Sequence, residues 1–219
     1  MKLSKQTIDV LKNFAAVNQN MLFAPGNVIS TRTVTKNIFV SATVDAEFDR
    51  EFGIYNLSEF LGIVGLFSEP EFEFTDKTVV ISQGKNRVVY AFAEKEVLDY
   101  PDKAIKMPTI DTEFEMSDEN LKSLQKAGAI LGATDLLVSG KDGTISCTVL
   151  DPKNPTSNTF SIDVGSTNQE FSAYIKLENL KMPSGMYDVK LSSKKIVQFA
   201  SKTTDYSMYI ACEKNTTWN

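Results

Sequence analysis

Apolar and polar residues alternate one for one along much of the chain, the period of strands with one buried face and one wet face. Short strands separated by turn residues are read at 37–44, 79–82, 87–93, 136–139, 144–150, 159–164, 187–192, 197–201 and 206–213, with the alternation strict around Cys147. Turns at 82–87 and 139–144 join pairs of them as hairpins, with Gly84 and Gly143 where a tight turn needs positive φ. Four stretches have a helical period instead. Residues 4–18 put Ile8, Leu11, Phe14 and Ala15 on one face. Residues 57–67 open with Asn56 as N-cap and Glu59 three positions on, the spacing of a capping box. Residues 118–131 follow Ser117 and align Leu121, Leu124, Gly128 and Leu131. Residues 175–182 form a shorter stretch stopped by Pro183 and Gly185.

The order of these elements suggests a degenerate repeat. Helix, strands, helix and strands fill the first hundred residues. A proline-marked stretch follows, and strand, helix, strands, helix and strands then run to the end. This predicts an α+β protein of two topologically similar domains, 1–99 and 109–219, joined by a connector at 100–108. A single irregular sandwich with helices at its edges fits the same pattern.

Composition narrows the chemistry. The chain has 219 residues, 42% of them hydrophobic, two cysteines and no histidine. That excludes Ser-His-Asp and Cys-His catalysis, imidazole metal ligation and a four-thiolate site. The opening residues are polar, and the longest apolar run, 60–67, falls far short of the about 20 residues that span a bilayer. We therefore expect a soluble cytoplasmic protein with no membrane partner, in which Cys147 and Cys212 act as buried small hydrophobes. No phosphate-binding glycine loop is present. The alternating acids Asp45, Glu47, Asp49 and Glu51 lack the glycine and terminal glutamate of a calcium loop and read as the wet side of a strand. The expectation is a non-enzymatic protein with no metal or cofactor.

Charge is segregated. The net −5 argues at first against a nucleic-acid partner. Yet nine acids lie within 45–76 against Arg50 alone, while 176–202 carries six lysines against Glu178 and Asp188. At about 100° per residue, Lys5 and Lys12 lie about 20° apart and flank the apolar face of the first helix. Lys122 and Lys126 lie about 40° apart, opposite the apolar face of the third. Asp9 and Glu119 dilute both. Either pair alone reads as a solvated face. Their matching places in two half-repeats suggest one shared surface.

The opening MKLSK followed by LKNFA at 11–15 resembles the start of the sliding clamps, the DNA polymerase processivity factors, of T-even-like bacteriophages. Residues 54–63 (IYNLSEFLGI) and 177–187 (LENLKMPSGMY) are similar to further blocks of that family, in the same order. The resemblance implies a DNA-clamp fold: antiparallel sheets outside and two helices per domain lining the central hole of a homotrimeric ring around duplex DNA. It also implies partnership with the replicative polymerase and an ATP-dependent clamp loader, with late-transcription factors as further partners, in the cytoplasm of an infected bacterium. Lys5 and Lys12 match lysines of the family's first helix, Lys126 stands where the family has arginine, and Lys181 matches a lysine after the fourth helix. Lys122 has no counterpart. Together these five are the expected DNA-facing set. Leu98, Tyr100, Ile105 and Met107, around the connector, are the expected partner-peptide residues, and packing at the domain junction explains them equally well. Without the resemblance, a β-rich structural or virion-assembly protein with merely solvated lysines also fits the pattern.

Overall fold

The computed structural model describes residues 2–219. The chain divides into two compact units, Met1–Ala104 and Ile105–Asn219, a division that falls inside the stretch 100–108.

In the first unit α1 (Lys5–Val17) is followed by β1 (Met21–Phe23), β2 (Gly26–Arg32), β3 (Ile38–Phe48) and β4 (Phe52–Ile54). Then come α2 (Leu57–Val64) and a meander of β5 (Glu71–Phe74), β6 (Thr78–Gln83) and β7 (Asn86–Ala91). All pairings are antiparallel: β1 with β4, β2 with β3, and β5–β6–β7 in order. Along β3 the alternation Val40, Ala42, Val44, Ala46, Phe48 is buried, while Asp45 and Glu47 face water. Asp45 and Glu47 are thus the wet side of a strand, whereas Asp49 and Glu51 lie beyond its end, in the link to β4. A phenylalanine cluster fills the core below it, with Phe23 stacked on Phe52 at 4.5 Å and Phe92 at 5.0 Å from the same ring. Gly53 is required here, because a Cβ would lie 2.6 Å from both the Ala93 carbonyl oxygen and Leu98 Cδ1.

The second unit follows a related order, with a strand before its helix and a 3-10 turn in the place of α2. It runs β8 (Thr112–Met116), α3 (Asp118–Leu131), β9 (Asp135–Lys141), β10 (Thr144–Leu150), β11 (Phe160–Ser166) and β12 (Phe171–Lys176). A 3-10 turn (Leu177–Asn179) precedes the meander β13 (Tyr187–Ser192), β14 (Ile196–Ser201) and β15 (Tyr206–Ala211), and β16 (Thr217–Trp218) ends the chain. One sheet has the order β11-β10-β9-β12-β16. In the other, β8 pairs with β13, β13 with β14 and β14 with β15. Asp142 and Gly143 both have positive φ, 50° and 83°, as the β9–β10 turn demands. Cys147 is buried and Cys212 half-buried, both as free thiols.

The last residues act as a strap along the outer edge of β12. Glu213 N–H donates to the Tyr174 carbonyl at 2.7 Å, and Tyr174 N–H donates to Thr216 Oγ1 at 3.0 Å. Trp218 pairs with Phe171 and stacks on its ring, centroids 4.4 Å apart. An otherwise open strand edge is closed in this way.

Two helical predictions need correction. The helix expected at 57–67 ends at Val64, because Gly65 closes it and Leu66, 73% exposed, has no core to join. The fourth helix, 175–182, does not form, so the described residues hold three α-helices and not two per domain. Ile175 and Lys176 are paired to Leu136 and Asp135 of β9 as the end of β12. Only 177–182 then remains before Pro183, less than two turns, and proline disfavours helical backbone in the residue before it.

Candidate nucleic-acid interface

In the first unit α1 is fixed from both sides. Its N-cap Ser4 accepts from Thr7 N–H at 3.1 Å, and Ser4 and Thr7 hydroxyls donate to the Asp45 carboxylate of β3. Leu11 and Phe14 are fully buried. The opposite face is therefore held open, with Lys5 and Lys12 exposed on it. Both converge on one carboxylate, Lys5 Nζ 2.6 Å and Lys12 Nζ 3.7 Å from Asp9. The hydrogen bond from Lys5 holds the Asp9 carboxyl below the usual carboxylate range, so the three groups carry one net positive charge at neutral pH. Beside α1, α2 presents no lysine and one acid, Glu59.

The second unit uses different residues to the same end. Ser117 caps α3 by accepting from Asn120 N–H at 3.1 Å, and Leu121, Leu124 and Gly128 are buried. Gly128 lets the helix press onto the 3-10 turn, where a Cβ would come 2.7 Å from Leu177 Cδ1. Gln125 donates to the Leu180 carbonyl at 3.1 Å, which brings the exposed Lys181 next to the helix. Lys122 and Lys126 are exposed. Lys122 pairs with Asp118 at 2.5 Å, whereas Lys126 has no ion-pair partner among the described residues. The Asp118 carboxyl is held below its ordinary range by Lys122 first and by the Gly185 N–H as well.

The structure therefore puts Lys5 with Lys12 on one helix of the first unit, and Lys122 with Lys126 on one helix of the second, beside Lys181. The three helices carry four lysines (Lys5, Lys12, Lys122, Lys126) and four acids (Asp9, Glu59, Asp118, Glu119), a neutral set in a chain of net −5. Asp118 is the participant that sequence reasoning missed. Its i,i+4 spacing to Lys122 was the available signal.

The lysine block at 176–202 is not one basic face. Lys176 is 2.8 Å from the buried Asp135, Lys202 pairs with Glu115 and Asp188, and Lys195 donates to the Lys214 carbonyl at 2.9 Å. Of the connector residues, Leu98 is buried against Gly53, Tyr100 is half-buried in the first unit, and Ile105 is exposed and Met107 half-buried in the second. The connector's start is tied down in the first unit: Arg32 lies 2.7 Å from Asp99 and donates to the Tyr100 carbonyl, and Asn18 donates to the Asp99 carbonyl. No helix among the described residues is long and apolar enough to cross a membrane.

Solved structures of similar shape define the class. The chain matches the A. fulgidus PCNA of a FEN-1 complex over 99% of its length and 100% of that chain (TM-score 0.72, 13% identity). It matches Entamoeba histolytica PCNA over 94% of each chain (TM-score 0.69, 13% identity). Subunit beta of Borrelia burgdorferi DNA polymerase III gives a TM-score of 0.75 at 12% identity over 98% of this chain and 64% of that one. At such identities the likeness establishes the fold, which is that of the DNA clamps.

Sequence relatives identify the family. Residues 2–97 match the DNA polymerase processivity factor family and residues 113–214 the gp45 sliding clamp C-terminal family. The sliding clamp of Vibrio phage KVP40 is 32% identical over 97% of this chain and 99% of its own, and that of Escherichia phage RB69 31% identical over 99% of both. The chain belongs to the phage sliding clamp family of DNA polymerase processivity factors, which are non-enzymatic scaffold proteins.

Proposed function

We propose that three copies of this chain close into a ring around duplex DNA in the infected cell's cytoplasm. Lys5, Lys12, Lys122, Lys126 and Lys181 then face the phosphates. The observation that carries this reading is the construction of α1 and α3: each buries its apolar face and holds its lysines on an open face beside a compensating carboxylate. Such a surface meets phosphates without reading bases, and its near-neutral balance keeps each contact weak enough to slide. Retention then comes from topology, and the benefit to the polymerase from effective concentration.

Closure needs a head-to-tail contact, and two strand edges suit it. In the first unit β7 ends its sheet with Val89 59% exposed, and in the second β11 ends its sheet with Phe160 37% exposed. A β7–β11 contact between copies is heterologous, and three such contacts generate a closed ring. Loading by an ATP-dependent clamp loader, docking of partner peptides near Tyr100, Ile105 and Met107, and recruitment of late-transcription factors belong to the same reading.

Light scattering on the purified chain tests it. A particle of about three times the 24.3 kDa chain mass is expected, with Val89→Asp shifting it toward monomer. A wild-type protein that stays monomeric at micromolar concentration rejects the ring. A Lys5→Glu, Lys126→Glu double variant is expected to stay assembled and lose processive synthesis. Unchanged processivity in that variant rejects the DNA-facing assignment.

A further inference from the structure

Between α1 and α2 the first unit holds a cavity of about 550 Å³ that phosphate contact does not account for. Its apolar walls are Leu3, Ile8, Leu61, Val64, Phe67 and Pro70. Val64 is buried, but Leu3, Ile8, Leu61 and Phe67 are only half-buried, so apolar surface stays open to water here. The helix α2 closes at Gly65, and the turn 65–70 that follows it forms one side of the cavity. Among the described residues, none of the connector lines it.

Three lysines rim this apolar surface: Lys5 and Lys12 from α1, and Lys2 from the segment before it. Two acids oppose them. Asp9 is shared by Lys5 and Lys12, and Glu69 lies 3.3 Å from Lys2. Three cations against two acids leave the lining with one net positive charge, in a chain of net −5. All five side chains are about half exposed or more, so each ion pair exchanges readily for another anion. A duplex phosphate would meet the lysines and leave the walls wet. A nucleobase would find one ring, Phe67, among five aliphatic side chains. Aliphatic walls inside a cationic rim suit a flexible hydrocarbon chain that ends in one anionic group.

We propose that this cavity binds a free single-chain alkyl carboxylate. Its hydrocarbon chain lies along Ile8, Leu61 and Phe67, and its carboxylate sits among Lys2, Lys5 and Lys12 in exchange with Asp9 and Glu69. Binding itself needs only the first unit. Its consequence rests on the proposed function: Lys5 and Lys12 belong to the DNA-facing set, so the bound anion takes the place of phosphates and weakens direct contact with DNA.

Calorimetric titration of the full chain with decanoate, kept below its micelle concentration, tests this. One-site saturation is expected, with affinity rising about threefold for each methylene added from hexanoate to decanoate. Decyltrimethylammonium should not displace the carboxylate. Lys5→Gln with Lys12→Gln should weaken binding about tenfold, and Asp9→Asn should tighten it about threefold, the scale of exposed ion pairs lost and freed. Leu61→Gln keeps every charge and should flatten the dependence on chain length. Lys85→Gln, in the β6–β7 turn, should change nothing. The proposal is overturned if binding does not saturate, if affinity is indifferent to chain length, if Leu61→Gln leaves that dependence intact, or if Asp9→Asn weakens binding as the lysine variant does. Phosphatidylglycerol vesicles that bind the chain as strongly as decanoate also overturn it, because they mark a bilayer surface and not a cavity. Decanoate that binds as described without displacing a short DNA duplex rejects the DNA-facing assignment and leaves the cavity site standing.

Discussion

In the proposed ring, where α1 faces the phosphate backbone, Asp9 sets how strongly the helix holds it. Its carboxylate is shared by Lys5 at 2.6 Å and Lys12 at 3.7 Å, so the isosteric substitution Asp9→Asn converts one net positive charge into two. The fold should be indifferent, because exposed ion pairs contribute little to stability. Counterion release sets the magnitude on DNA: each further phosphate neutralised steepens the fall of log affinity against log salt by about 0.9. Over a roughly fourfold rise in salt this adds a loss of about 3.5-fold. The assay is anisotropy on a short linear duplex, whose open ends abolish topological retention and leave the direct contact alone. Asp9→Asn should bind more tightly at low salt and converge with wild type at high salt. Lys12→Gln should flatten the wild-type slope by about the same 0.9, and Glu71→Gln, on the wet face of β5, should do nothing. A slope for Asp9→Asn equal to that of wild type would mean that α1 does not face DNA.

Further outcomes follow from the packing. Lys176→Met strips the buried Asp135 of its cation and should cost about 3 kcal/mol in urea unfolding, with Asp135→Asn added in the same chain recovering most of the loss. Gly53→Ala forces a methyl against the Ala93 carbonyl and Leu98 and should cost about 1–3 kcal/mol in the same measurement, most of it local to the first unit. Melting temperature should be flat from about pH 5 to 8.5, because the chain has no histidine to titrate there. Asp45, Asp111 and Asp118 have carboxyls held below their ordinary 3.8, so their stabilisation is present above that value and is lost as pH falls through the lower folded values. The Cys147 thiol is pushed up to about 12 by burial against 9.0 in the open chain, so unfolding gains from its ionisation and stability declines from pH 9 upward. A midpoint between pH 5.5 and 7.5 would contradict this account.

Much of the fold is legible in local chemistry. Asn56 and Ser117 announce two of the three helices because each cap bond is made within three residues. Alternation locates β10 and β13 to the residue, since one buried face leaves no freedom of register. The stretch 175–182 misleads because its outcome is decided far away: Ile175 and Lys176 are claimed by β9, and the Lys176 charge by Asp135. The short strands β1 and β4, three residues each, carry too few positions to show a period. For the candidate interface, the lysines of α1 and α3 could be placed from helical angles alone. The dissolution of the 176–202 block could not, because Glu115, Asp135 and Lys214 reach it only through tertiary pairing.

The strap along β12 gives the molecule a built-in optical probe. Trp218 is the single tryptophan of the chain, and its emission reports one event, the lifting of the last residues from Phe171. Intrinsic fluorescence therefore follows the fraying of one strand edge while circular dichroism follows the whole fold. The difference between the two curves measures how far that edge opens before the rest of the protein melts.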